Sequence, residues 1–276
     1  MTNPSVSDYG TYDESTVPRL WDGVIGAWCP SLGPTGTRLH DFSRYNNWGT
    51  LTNMDAATDW VVDGGQYALD FDGTNDYIDI GTRQYLTYGV AATVSWWERI
   101  TSSGNGYYSR FRLKTGAQDM AVLRTDQATY LGISTFNVSI GASKQFASAP
   151  SVANSVGVWR HFALVMAAGP DGTTNSDWTL YVDGVSYAAT AAGTGVLSNG
   201  VNRIGWDSAD NGANCMFSDF AIYGRAITAN EARELYLLGR GGMFQRRRVR
   251  RGYVSEAAVK SYLFLNRGQV IGGGTL

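Results

Sequence analysis

Apolar and polar positions alternate loosely from Ala68 to Phe71, break across Asp72-Gly73-Thr74-Asn75-Asp76, and resume at Tyr77, Ile78 and Ile80. That alternation has the period of a half-buried strand, and Gly and Asn tolerate the positive φ of a tight turn. The stretch predicts a strand, a polar turn and a second strand, arranged as a hairpin or as a strand corner. Similar punctuation returns at Leu180-Tyr181-Val182-Asp183-Gly184. Further apolar runs predict strands over 20–29, 92–100, 109–114, 120–125, 130–133, 159–166, 178–182, 201–206 and 216–223. In the 159–166 run, Trp159, His161, Ala163 and Val165 share one face, and Phe162, Leu164 and Met166 the other. A strand apolar on both faces belongs in the middle of a covered sheet. Residues 41–50 and 59–66 read as loops, with Trp48 packing inward.

One helix is predicted after the last strand. Thr228 suits its N-cap, and Glu231 stands three residues on, completing a capping box. Ala232, Leu235 and Tyr236 form its apolar stripe, and Gly239 ends it.

The composition agrees with an all-β reading. The chain has 276 residues, with 34 glycines, 16 tyrosines and 9 tryptophans against 6 prolines, as a large turn-rich sandwich requires. No apolar run approaches the ~18 residues of a membrane span, so no membrane partner is expected. The first fifteen residues have neither a basic nor an apolar segment, and no secretory leader is expected. Cys29 and Cys215 are the only cysteines. They read as two buried free thiols, with a bridge across the fold as the alternative.

Charge divides the chain. Eight bases and one acid lie from Arg240 onward, which leaves 14 bases and 23 acids before it. The expected organisation is an N-terminal arm (1–18), a sandwich (19–239) and a basic C-terminal arm (240–276). In the last, Arg246, Arg247, Arg248, Arg250 and Arg251 read as an anchor whose guanidinium forks dock on acidic surfaces of a partner. No aromatic interleaving accompanies them, so nucleic acid is not the expected partner.

Four blocks carry a family likeness: LHDFSRYNNWGTL at 39–51, the DGTNDYI turn within 67–80, WRHFALV at 159–165 with LYVDG at 180–184, and the 217–236 segment ending in EARELY. Together they resemble the laminin-G-like, concanavalin A-like lectin/glucanase superfamily, in its bacterial and phage branch. The resemblance implies an all-β jelly-roll sandwich of two antiparallel sheets, often with one structural Ca²⁺. The calcium candidates are Asp41, Asn46, Asn47 and Asp219, because the family site joins the early D-x-S loop to the late strand. Turn-capping by the same residues is the alternative. Arg44 stands where the family often has Gly, and Ser218-Asp219-Phe220 where it often has two acids.

Catalysis is not expected. Glucanases on this fold align acidic residues at alternate strand positions, spaced for an acid and a nucleophile. Of the five glutamates here only Glu98 lies on a predicted strand, with no acid at i±2 or i±4. His40 and His161 are the only histidines, and His161 reads as a structural core residue. Trp206, Asp207, Asn211, Tyr107 and Tyr108 supply the aromatic faces and amides of a glycan site, with Asn214 nearby, although aromatics in a sandwich more often fill its core. The expected role, carried by family analogy, is a non-enzymatic virion component of a tailed phage. The arms would bind other capsid or tail proteins, within a homo-oligomer or larger assembly, and the exposed sandwich would bind host-surface glycans. The alternatives are a secreted or surface carbohydrate-binding module of a bacterium and, more weakly, a glycoside hydrolase.

Overall fold

The computed structural model describes residues 17–101, 106–115, 119–126, 135–139, 144–146, 156–170, 174–191, 202–205 and 213–244. By its contacts the chain divides into Met1–Arg246 and Arg247–Leu276. The predicted strand at 130–133, the N-terminal arm up to residue 16 and the Arg246–Arg251 run lie outside the described residues.

The first unit is a sandwich of two antiparallel sheets. One sheet runs Val185–Ala188, Trp178–Val182, Trp159–Met166, Ala92–Ile100, Asn214–Tyr223, Gln66–Asp72, Trp60–Asp63, with Val24–Trp28 also paired to Asn214–Tyr223. We call it the back sheet. The front sheet runs Thr190–Ala191, Lys144–Gln145, Thr135–Ser139, Asp119–Asp126, Gly106–Lys114, Arg203–Ile204, Tyr77–Asp79, Gly49–Thr52, Arg38–Leu39. Between them, Trp28, Phe71, Ile78, Trp96, Phe111, Phe162 and Phe217 bury their side chains in one core.

The two Asp-Gly turns do different things. Asp183 and Gly184 both take positive φ, 52° and 78°, and join two directly paired strands in a two-residue hairpin. The Asp72–Asp76 turn is a corner. Gln66–Asp72 lies in the back sheet and Tyr77–Asp79 in the front sheet. The Asp76 carboxylate accepts the Asp72 amide at 3.0 Å and closes the bend.

A second core covers the outer face of the back sheet. There Ala163, Val165, Ala221 and Tyr223 meet Leu20 and Trp21, helix residues Ala232 and Leu235, and Met243 and Phe244. The Trp159–Met166 strand is therefore buried on both faces, as its pattern requires. The helix is Ala229–Leu238, with the capping box formed. Arg225 bonds the Glu231 carboxylate at 2.5 and 3.0 Å, which helps hold that carboxyl at about 2.

Several boundaries differ from the sequence reading. Leu20 and Trp21 belong to a 3₁₀ turn, Pro18–Trp21, and the first strand is Val24–Trp28. Gly23, at φ 73°, separates the two. Residues 60–63 form a strand rather than a loop. The 201–206 strand shrinks to Arg203–Ile204, because Gly205, at φ 107°, leaves the extended region.

The body also continues past Gly239. Phe244 packs edge-on against Trp21 and Phe42, at 5.3 and 5.2 Å, and the Trp21 indole donates to the Met243 carbonyl at 3.0 Å. Arg240 lies 3.9 Å over the Trp159 ring. These side chains have apolar or aromatic surfaces to cover, so residues 240–244 belong to the body rather than to an arm. No helix among the described residues is long and apolar enough to cross a membrane.

Candidate functional site

The hairpin that ends the front sheet carries the most distinctive surface. Arg38 pairs with Thr50 and Leu39 with Gly49, so residues 40–48 form the connecting loop. One carboxylate organises it. Asp41 is buried and accepts from the amides of Ala27, Ser43 and Asn47 and from the Ser43 hydroxyl, each at 2.8 Å. The Trp28 indole holds the Asn47 carbonyl at 2.9 Å. Asn46 sits at φ 52°, a left-handed position that Asn tolerates better than most residues. The loop thereby turns Asp41 and Ser43 inward beside buried Phe42, while the rings of Tyr45 and Trp48 stay half-exposed.

Trp48 is 37% and Tyr45 38% exposed. Trp48 does not pack inward as its type suggested. The His40 ring meets it edge-on at 4.8 Å, and the Arg38 guanidinium lies 4.8 Å from its centre. Arg83 covers Tyr45 at 3.7 Å, and Arg44 lies at 5.7 Å. Arg83 comes from the segment after the front-sheet corner. Buried Asn202 fixes that segment by donating to the carbonyls of Gly81 and Arg83, both at 2.8 Å. Stacked guanidinium and ring together make an apolar plate edged with hydrogen-bond donors. That combination suits a ligand with both C–H faces and hydroxyls. Burial lowers the His40 pKa.

The calcium candidates separate. Asp41 and Asn47 meet in this loop, as described, and Asn46 turns it. Asp219 serves a different place. It sits in the Asn214–Tyr223 strand at φ 46°, where the register with Ala92–Ile100 shifts between Ser218 and Ala221. Its carboxylate accepts from the Cys29 thiol at 2.9 Å, the Ser218 hydroxyl at 3.0 Å and the amides of Ser31 and Gly241. Both carboxylates are already ringed by N–H, O–H or S–H donors, which a cation would have to displace. Among the described residues no group of three or more His, Cys, Asp or Glu is placed to hold a metal ion. The four residues do not fit the calcium site that the resemblance implies.

The other candidates fare differently. Trp206, Asp207 and Asn211 lie outside the described residues. Tyr107 and Tyr108 lie on the Gly106–Lys114 strand, paired with Thr125 and Arg124. Asn214 accepts from the Thr101 hydroxyl at 2.7 Å. Cys29 and Cys215 are both buried thiols and are not joined by a disulfide. Burial, with Asp219 beside it, raises the Cys29 pKa well above its usual value, so this thiol is held protonated.

Glu98 is 1% exposed, in the inter-sheet core, and accepts from the Trp96 indole at 3.2 Å. Its register partners are Arg160 and Phe217, and neither is an acid. His161 is 1% exposed and bonds the Ser95 hydroxyl at 2.9 Å. Burial lowers its pKa to about 3, so the ring is neutral near pH 7. The cavity beside it, lined by Ser95, Trp97, His161, Asp219, Leu235 and Met243 among others, measures about 20 Å³. That space suits a water molecule, not a substrate.

The sequence profile of the concanavalin A-like lectin/glucanases superfamily matches residues 72–233, more than half of the chain. The chain belongs to that superfamily. No curated protein matches it in sequence. Among solved structures it is similar to domain 4 of AbnA, an extracellular arabinanase of Geobacillus stearothermophilus in complex with arabinotriose. The identity is 15%, the TM-score 0.55, and the match covers 77% of this chain and 98% of that one. It is also similar to the binding domain of Paraclostridial Mosquitocidal Protein 1, at 17% identity and TM-score 0.54, covering 79% and 52%. A Trypanosoma rangeli sialidase with 2,3-difluorosialic acid follows, at 13% identity and TM-score 0.52, covering 78% and 33%. The match spans a third to a half of the first solved structures it resembles. At these identities the likeness is one of fold.

Proposed function

We propose that the sandwich is a non-catalytic carbohydrate-binding module whose ligand surface is the 38–48 hairpin. The observation that carries this reading is the pairing of two half-exposed rings, Tyr45 and Trp48, on a loop stiffened from within, with Arg38 and Arg44 of the hairpin and Arg83 of a neighbouring segment. Sugar recognition needs a flat apolar plate beside fixed polar groups, and rigidity lowers the entropy lost on binding. An arabinotriose-bound relative of the same fold is consistent with it. The non-catalytic part rests on Glu98 and His161, the residues with catalytic potential on core strands. Both are enclosed in packed interiors.

The division of charge favours a second, compatible reading: a virion component of a tailed phage, attached through its basic C-terminal unit while the sandwich stays exposed. An acidic body with an arginine-rich end is suited to docking on acidic neighbours. One comparison separates the two readings. The full chain and a chain ending at Arg246 are each applied to a glycan array and to virus particles assembled without the protein. Glycan binding in both forms, with no released sugar product, supports the module. Particle binding by the full chain alone supports the attachment, and equal particle binding by the shortened chain contradicts it. Silence of both forms across a broad array contradicts the module.

A further inference from the structure

The loop arginines differ in one respect from the four described arginines that form ion pairs. Arg19, Arg99, Arg160 and Arg225 each pair with a carboxylate, on Glu234, Asp63, Asp183 and Glu231 respectively. Arg38, Arg44 and Arg83 have no carboxylate partner among the described residues, and what they stack on are the rings of Trp48 and Tyr45. The Nε of Arg83 is buried without an acceptor. Asp41, the nearest acid in sequence to Arg38 and Arg44, is turned inward and committed to its four donors.

This small positive surface stands on a body whose first 239 residues carry nine more acids than bases. In such a background, three unneutralised guanidinium groups within one loop region are conspicuous. Self-repulsion among them is a cost that an anionic ligand would remove. The row of the front sheet that begins at Arg38 continues through Thr50 and Asp79 to Arg203, and Arg203 lies 4.4 Å over the Tyr77 ring. Strands are about 4.8 Å apart, so Arg203 stands roughly 14 Å along the row from Arg38. The one carboxylate between them, Asp79, accepts the Gly81 amide at 2.8 Å.

We infer that the hairpin surface is specific for acidic glycans, whose carboxylate or sulfate groups pair with Arg38, Arg44 and Arg83 while their sugar faces rest on Trp48 and Tyr45. This inference rests on the module reading and narrows its ligand class. Guanidinium forks match planar or tetrahedral oxyanions and give directed, charge-assisted hydrogen bonds.

The test uses the full chain with Arg246, Arg247, Arg248, Arg250 and Arg251 changed to Gln, so that the C-terminal charge cannot mimic the result. Polygalacturonic acid, dextran sulfate and neutral dextran are the probes, and binding is measured from low to moderate salt. The expected result is at least tenfold tighter binding to one or both acidic polymers than to dextran, weakening as salt rises. Preference between the two acidic polymers distinguishes carboxylate from sulfate. Adding Arg38→Gln, Arg44→Gln and Arg83→Gln should remove that preference while leaving the thermal midpoint within a few degrees. Single changes serve if the triple variant does not fold, each lowering the acidic preference severalfold. Equal binding of neutral and acidic polymers, still dependent on Tyr45 and Trp48, would overturn the acidic specificity and leave the module standing. Binding of every polymer unaffected by Tyr45→Ala and Trp48→Ala would overturn both.

Discussion

Asp41→Ala is expected to lower the stability of the sandwich by about 4 kcal/mol and to abolish ligand binding by the hairpin. The size follows from what the side chain holds. Three backbone amides and one hydroxyl end on this carboxylate, and the residue is 1% exposed. A hydrogen bond to a charged group contributes about 1.5–3 kcal/mol, and the donors left behind are only partly reached by water. For a domain of this size the change corresponds to a fall of roughly 10 °C in thermal midpoint. Asp41→Asn should cost nearly as much, because one of its two polar ends would present hydrogens to donors. Calorimetry in the presence of a calcium chelator checks this. The wild-type midpoint should be unchanged by the chelator and the variant midpoints low. A wild-type midpoint that falls by the same amount in chelator would assign Asp41 to an ion instead.

Asp219→Ala is the second change expected to act strongly, by about 3–4 kcal/mol. Its carboxylate joins three separate stretches of chain: the Cys29–Ser31 turn, its own strand at Ser218, and the Gly241 amide beyond the helix. It also offsets the charge of Arg240, which is 8% exposed and whose pKa is lowered by burial. Removing the acid leaves a buried guanidinium with less compensation and four donors without an acceptor. Alanine further tolerates the φ of 46° less well than Asp. The expected signature is local as well as global: amides of residues 241–244 should exchange much faster with solvent than in the wild type, because their anchor is gone. Urea titration with hydrogen exchange measures both. Unchanged exchange in that segment would show that the Phe244 and Met243 packing holds it alone.

Much of the architecture was legible in the sequence because it rests on short-range signals. The Asp183-Gly184 hairpin, the capping box at Thr228 and Glu231, and the two-faced Trp159–Met166 strand each declare themselves within a few residues. The Asp72–Asp76 turn shows where this ends. Hairpin and corner share the same residue types, and what separates them is where the next strand finds its partner. Here that partner is the Gly49–Thr52 strand of the opposite sheet.

The candidate site was only half legible. The sequence singled out the polar residues Asp41, Asn46 and Asn47, but not the direction from which they are met. Whether a carboxylate faces an ion or a ring of amides depends on backbone from distant stretches, such as the Ala27 amide. Trp48 looked like core because tryptophan usually is. Its exposure follows from its place just outside the last hairpin pair, with His40 edging it on one side. Arg83, far along the chain, reaches Tyr45 only because Asn202 holds its segment. A single fact could have hinted at the site: arginine and aromatic residues recur together at 38–48 in a chain whose body is acidic.

A binding titration of the Tyr45→Ala, Trp48→Ala double variant against wild type examines the hairpin surface most directly. Both rings are more than a third exposed, so the variant should keep a thermal midpoint close to wild type. With the glycan identified on the array, the account predicts a loss of affinity of at least tenfold in the double variant. A folded double variant that binds that glycan as tightly as wild type would contradict it and move the ligand to another face of the sandwich.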